Sequence, residues 1–242
     1  MALPAWREVA LPHEDIRRGR FDESTFAADL ADVLAGRGPL EYRDPLTFFR
    51  KTYPTKGMVR LLGAVVRRLS GEKGGEPVVQ IQTPFGGGKT HGLVALYHLF
   101  RSGEEARGTE LYARVLEEAG VERIPEAKVA VFVGTAADPL KGRTPWGELA
   151  LQLGHYGLLE EHDKARQAPG KERLYELFRA AGGPVLILMD EVAEYVARTV
   201  DLLLRGQLPR PQVRELDGDG RLHLQEPSPP QALSRPAPPA PE

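Results

Sequence analysis

The stretch Val78-Val79-Gln80-Ile81-Gln82-Thr83-Pro84-Phe85-Gly86-Gly87-Gly88-Lys89-Thr90 sets a β-branched run, a glycine triplet and a lysine-threonine pair end to end, and the apolar-periodic run Leu93 to Phe100 follows directly. This order predicts a strand over 78–82, a tight glycine turn and a helix that starts at the lysine. Such a turn aims several backbone N–H groups and the positive end of a helix at one small volume, which suits a polyphosphate. In the pattern G-x-x-x-x-G-K-[ST], Gly88, Lys89 and Thr90 supply the second half. Lys89 is expected to reach the β- and γ-phosphates, and the Thr90 hydroxyl to ligate Mg²⁺. Thr83 stands where the pattern has its first glycine. Gly86 and Gly87 still allow close backbone approach, and Pro84 fixes one φ angle. The competing reading is a glycine-rich turn that ends a strand and holds nothing.

A second run bears on that choice. Pro184-Val185-Leu186-Ile187-Leu188-Met189-Asp190-Glu191 is continuously apolar up to two carboxylates, the pattern of a strand buried on both faces of a parallel sheet. Asp190 at its C-terminal end is expected to hold Mg²⁺ through the metal's water shell, and Glu191 to polarise a water for attack on the γ-phosphate. The plainer alternative makes Asp190 the N-cap of a helix over 192–199. Lysine loop and Asp-Glu pair together point to ATP or GTP. Glu191 favours hydrolysis over kinase chemistry, because transfer to a bound acceptor needs no activated water.

Composition sets the outer limits. A chain of 242 residues with net charge -2, 41% hydrophobic and 27% charged suits one α/β domain with extensions. With no cysteine there is neither disulfide nor thiolate metal site. The histidines show no paired ligand spacing; His91 and His98 share a helix face, read here as surface. No apolar run approaches membrane-spanning length, and Met1 to Arg7 has no signal-peptide core, so the expectation is a cytoplasmic protein without membrane partners. A near-neutral chain has no overall electrostatic footprint for nucleic acid; Arg17-Arg18-Gly19-Arg20 and Arg67-Arg68 read as solvated clusters.

Three regions follow along the chain. Residues 1–70 read as a polar leader and a helical region: a helix after Asp22-Glu23-Ser24 that stops at Gly36, a second opened by Asp44-Pro45, and a third over Lys56–Leu69 whose apolar stripe is expected beside the first strand. Residues 71–205 read as the phosphate-loop core, a central, mainly parallel sheet flanked by helices. Its further parts are a helix over Glu104–Ala119, a strand over Val129–Val133 ending at Gly134-Thr135, helices over Trp146–Leu153 and Lys171–Ala181, and the strand carrying Asp190. Thr135 is a turn residue or a second approach to the phosphates. Residues 206–242 are proline-rich and read as disordered, Leu222-His223-Leu224 being the one strand-like run.

Trp6-Arg7-Glu8-Val9, Phe26-Ala27-Ala28-Asp29-Leu30, Phe48-Phe49, Thr52-Tyr53, Gln82 to His91, Ala95 to Leu99, Thr144 to Ala150 and Asp190 to Tyr195 resemble the N-terminal part of large prokaryotic predicted ATPases of AAA+ type, a family of unknown function. The resemblance covers about residues 5–198 and includes stretches outside the phosphate loop. The family's loop itself reads Thr-Pro-Phe-Gly-Gly-Gly-Lys-Thr-His, so Thr83 is normal for it, and Pro84, Phe85, Gly86, Gly87, Gly88, Lys89, Thr90 and His91 become the expected nucleotide-binding set. The resemblance implies an ATPase subunit, able to form homo-oligomers and often encoded near DNA methyltransferases and helicases in suspected phage-defence loci. Family members continue well past the Asp-Glu strand. Of the 32 basic residues only those at 51, 56, 73, 89, 128, 141, 164 and 171 are Lys, which points to a GC-rich genome, and the expectation is a truncated product whose tail comes from a disrupted frame. Three functions stay open at this stage: an ATPase module, a nucleotide-dependent switch without useful turnover, and an inactive fragment.

Overall fold

The computed structural model describes residues 5, 9–12, 14–19, 28–71, 76–82, 86–208, 214–216 and 222–224. Two parallel strands lie at its centre, β1 (Lys128–Val133) and β2 (Val185–Asp190), in register from Lys128 opposite Val185 to Val133 opposite Asp190. Side chains alternate across a strand. Val131, Val133, Leu186 and Leu188 therefore enter one cluster, whereas Ala130 and Phe132, with the partly buried Val185 and Ile187, enter another. Both faces of the sheet are covered by helices.

The helices are, in chain order, α1 (Glu14–Arg17), α2 (Leu30–Leu34), α3 (Leu40–Arg43), α4 (Pro45–Lys51), α5 (Lys56–Leu69), α6 (Lys89–Ser102), α7 (Glu110–Ala119), α8 (Pro145–Gln152), α9 (Glu160–Lys164), α10 (Lys171–Ala180) and α11 (Val192–Leu204). Helices α2 and α4 to α7 build the first cluster; α8, α10 and α11 build the second. Local signals place most starts. Asp44 accepts the Thr47 N–H at 2.8 Å with Pro45 behind it, and Thr55 caps α5 through Met58 N–H at 3.2 Å. Helix α2 is a correction: its N-cap is Asp29, which accepts from Ala31 N–H at 2.7 Å, later than the expected start at Asp22 to Ser24. Residues 21–27 lie outside the described set.

Further expectations fail for tertiary reasons. The α5 stripe packs on α7 rather than beside a first strand, and Gly63 permits that approach, since a β-carbon there would meet Glu118 Cγ at 2.5 Å. The helix expected over 104–119 is split. Gly103–Ala106 forms a 3₁₀ turn, Gly108 takes φ 89°, and Thr109 restarts the helix as cap. Residues 78–82 do not join the ladder: Val78 is 79% and Val79 47% exposed, and only Ile81 reaches the core, near Gly92. A β-branched run becomes a strand only where a partner offers its edge. The outer edge of β1 is blocked, because the Gln152 amide accepts the Val131 N–H and donates to the Val131 carbonyl, both at 2.8 Å. At the far end of β2, Met189 is 43% exposed, so the expectation of burial on both faces holds only up to Leu188. Among the described residues the core sheet has these two strands, against the larger sheet read from the sequence.

In the stretch expected to be disordered, Arg214–Leu216 (β3) and Leu222–Leu224 (β4) pair antiparallel. The remainder of 209–242 lies outside the described residues.

His98, read as surface, is buried where α6 meets the α3–α4 region, and His91, read the same way, is half-buried there. His98 donates from Nε2 to the Tyr42 carbonyl at 2.6 Å, and the Phe48 ring lies 4.7 Å from His91 and 5.4 Å from His98. Burial lowers both imidazoles from their usual 6.5, against the opposing pull of the Tyr42 carbonyl, Asp44 and Glu105 on His98. A lowered folded-state value means that the unfolded chain takes up protons first. Stability is therefore full above pH 6.5 and lost as pH falls from there toward the folded values. Melting temperatures measured from pH 7.5 to 5 should fall for the wild type and fall less for His98→Gln, whose amide can keep the bond to Tyr42; parallel curves would reject the assignment.

Candidate functional site

The glycine loop reaches α6 through two left-handed residues, Gly86 at φ 76° and Gly88 at φ 77°, a conformation that side-chain-bearing residues adopt only at a cost. Gly88 is the N-cap and its carbonyl accepts the Gly92 N–H at 2.9 Å, but it has no side chain with which to cap the N–H groups of the first turn. That turn holds Lys89 and Thr90, both half-buried, and no acidic residue. A helix end of this kind presents partial positive charge to an anion. A β-carbon at Gly86 or Gly88 would meet no atom within 4 Å, so there is open space beside the loop. Thr83, Pro84 and Phe85 lie outside the described residues.

His91 turns away from the loop. Its Nε2 shares a 3.0 Å hydrogen bond with Thr52 Oγ1, its ring lies against Phe48, and Tyr42 meets it edge-on at 5.8 Å. The imidazole expected in the nucleotide set thus anchors the first turn of α6 to the chain after α4, because Nε2 finds its partner in Thr52 while the ring packs against Phe48.

Asp190 ends β2 on the face that carries Leu186 and Leu188, the face on which α6 packs. Its side chain is buried, and Oδ1 accepts the Glu191 N–H at 3.1 Å. No hydrogen bond reaches its other oxygen among the described residues. The N-cap of α11 is Glu191, not Asp190 as the plainer sequence reading had it, and no side chain caps that helix. Glu191 is exposed and takes the left-handed conformation, φ 49° and ψ 36°, which costs a non-glycine residue about 1 to 2 kcal/mol. Two contacts with Gly134 frame it. Gly134 donates its N–H to the Asp190 carbonyl at 2.8 Å, and a β-carbon at Gly134 would overlap the Glu191 carbonyl oxygen. Thr135, the other expected approach to the phosphates, is exposed in the same turn.

Residues 9–203 match the family model described as DUF499 N-terminal domain. The chain belongs to the DUF499 family. No curated protein and no solved structure matches it. DUF499 is a family of unknown function, and the match is to an N-terminal domain, as the sequence resemblance implied. What sequence reasoning missed in this DUF499 domain are the partners that hold the site: Thr52 under His91, Gly134 against Glu191, and Arg198 on α11. Arg198 carried no signal beyond its place two turns after Glu191. Among the described residues no group of three or more His, Cys, Asp or Glu could hold a metal ion, and no helix is long and apolar enough to cross a membrane.

Proposed function

We propose that this DUF499 domain binds ATP with Mg²⁺ and is a phosphate-loop ATPase module of AAA+ kind. One observation carries the reading: the start of α6, with no side-chain cap behind left-handed Gly88, belongs to the helix that packs on the sheet face where Asp190 is buried with one carboxylate oxygen that accepts no hydrogen bond among the described residues. Gly86 to Thr90, with Pro84 and Phe85 ahead of them, would cradle the phosphates through backbone N–H groups and Lys89. Thr90 and Asp190 would hold Mg²⁺, which takes one or two protein oxygens together with phosphate oxygens and water. Bound there, the metal supplies charge neutralisation on the phosphates. Glu191, exposed beside Asp190, accepts a proton from an attacking water.

The setting of the activity rests on the resemblance alone: a DNA-associated modification or defence complex with a methyltransferase or helicase, the domain acting in the cytoplasm and assembling with its own copies. The second reading, a nucleotide switch with little turnover, is favoured by a specific feature. Arg198, on the helix that Glu191 opens, has its guanidinium engaged by the backbone carbonyls of the 134–137 turn, which removes it as a free cation for the γ-phosphate.

Mg-ATP at about a hundred times Kd should stabilise the chain by about 2.7 kcal/mol, a rise of about 5 to 10 °C in melting temperature for a protein of this size. Asp190→Asn should retain a shift with ATP but lose its dependence on Mg²⁺, because it keeps the shape and removes the charge. A wild-type chain that melts unchanged with Mg-ATP rejects the proposal.

A further inference from the structure

Arg198 lies on α11 and its Nη2 donates to the carbonyls of Gly134 and Ala137, the latter at 2.9 Å, with the Thr135 carbonyl at 3.4 Å. Among the described residues its buried Nε has no hydrogen bond, and Glu194 Oε1 lies 3.6 Å from it. The guanidinium, through Nη2, thus staples the turn after β1 onto the helix that Glu191 opens. That turn presses in its own right on the Asp190-Glu191 peptide. Gly134 donates to the Asp190 carbonyl at 2.8 Å, and its missing β-carbon leaves just the room that the Glu191 carbonyl fills. A strained residue persists only where its surroundings over-determine it. The chain of contacts runs from Arg198 through Gly134 to the left-handed Glu191.

We infer that Arg198 is a positioning residue: by fixing the Gly134–Ala137 turn it holds Glu191 in its left-handed conformation and so sets the direction of the Glu191 carboxylate. Arg198 itself touches no reacting atom. This rests on the reading of Glu191 as the base of a phosphate-loop site, but the backbone half of the inference stands apart from any nucleotide. Without the staple the turn relaxes, Glu191 is free to leave the left-handed region, and its carboxylate loses a defined direction while the loop at Gly86 to Thr90 is untouched.

The test uses the full chain as wild type, Arg198→Ala, Arg198→Lys and Gly134→Ala, with Lys89→Ala alongside. Amide hydrogen exchange without nucleotide should be at least about tenfold faster in Arg198→Ala at Gly134, Glu194 and Tyr195, with α5 and α7 unchanged. In single-turnover hydrolysis, Arg198→Ala should fall on the order of 10- to 100-fold, since a displacement of about 1 Å at a reacting group costs up to about 10². Its Mg-ATP affinity should stay within about twofold of wild type. Arg198→Lys, which keeps the charge but reaches fewer carbonyls, should fall between the two, and Gly134→Ala should reproduce the rate loss by pushing Glu191 from the other side. Wild-type exchange at these amides, a wild-type rate, or a rate loss matched by equal loss of ATP affinity overturns the inference. Should Lys89→Ala bind ATP normally, the phosphate-loop reading falls, while the exchange result still decides the staple.

Discussion

Lys89→Ala should weaken Mg-ATP binding by about 2 to 4 kcal/mol, the cost of truncating one partner of a close charge pair, or about 30- to 1,000-fold in Kd. The ammonium leaves from the first residue of α6, where its charge adds to that of the helix end. The backbone N–H groups of the turn remain, and with them a helix-end contribution of about 0.3 to 1 kcal/mol, so residual binding is expected rather than none. The fold should not suffer. Helix α6 is held by Leu93, Val94, Ala95, Leu96 and Leu99 in the core, and removing a cation from a helix N-terminus is neutral or favourable for the helix. Isothermal calorimetry, with the melting temperature of the nucleotide-free chain as the control, gives the result directly. An unchanged ATP affinity in a folded variant would end the assignment of residues 84–90 to phosphate binding.

How far this could be read from the residues depends on how far each interaction reaches along the chain. Asp44-Pro45, Thr55 and Thr144-Pro145 each bond the backbone within three residues, and the helices they open start within one residue of where the sequence puts them. The runs over 129–133 and 185–190 carry their own signal in continuous apolar residues, and both are strands. Pairing is another matter. Val78-Val79-Gln80-Ile81-Gln82 has the same local character, yet whether it joins a sheet depends on an edge, and Gln152, far along the chain, occupies one. The candidate site divides in the same way. Gly88, Lys89 and Asp190 are legible because loop and strand end announce themselves, whereas the direction of His91 is set by Thr52 and Phe48, and that of Glu191 by Gly134 and Arg198. Nothing near either residue in sequence encodes those contacts.

Glu191→Gln should leave Mg-ATP affinity within about twofold of wild type and abolish whatever hydrolysis the wild type has. The amide keeps the size and the left-handed backbone, which Gly134 enforces from outside, and removes only the proton acceptor. The wild-type rate itself should be low. A cation that neutralises charge developing on the γ-phosphate is worth about 10³ to 10⁵ in rate. Arg198, on α11, is turned to the carbonyls of Gly134 and Ala137, and the ion pair it approaches is with Glu194. Lys89 supplies one charge at the loop, which unassisted phosphate-loop proteins also have. The isolated 242-residue chain should therefore turn over below about one ATP per minute. Radiolabelled phosphate release at saturating Mg-ATP, compared between wild type and Glu191→Gln, separates the outcomes. A wild-type rate above about 1 s⁻¹, as in enzymes with a complete site, that vanishes in Glu191→Gln would show that an arginine within the chain or from a second copy completes the site. Equal rates in the two proteins would mean that Glu191 is not the base, and the left-handed strain at that residue would then serve the fold alone.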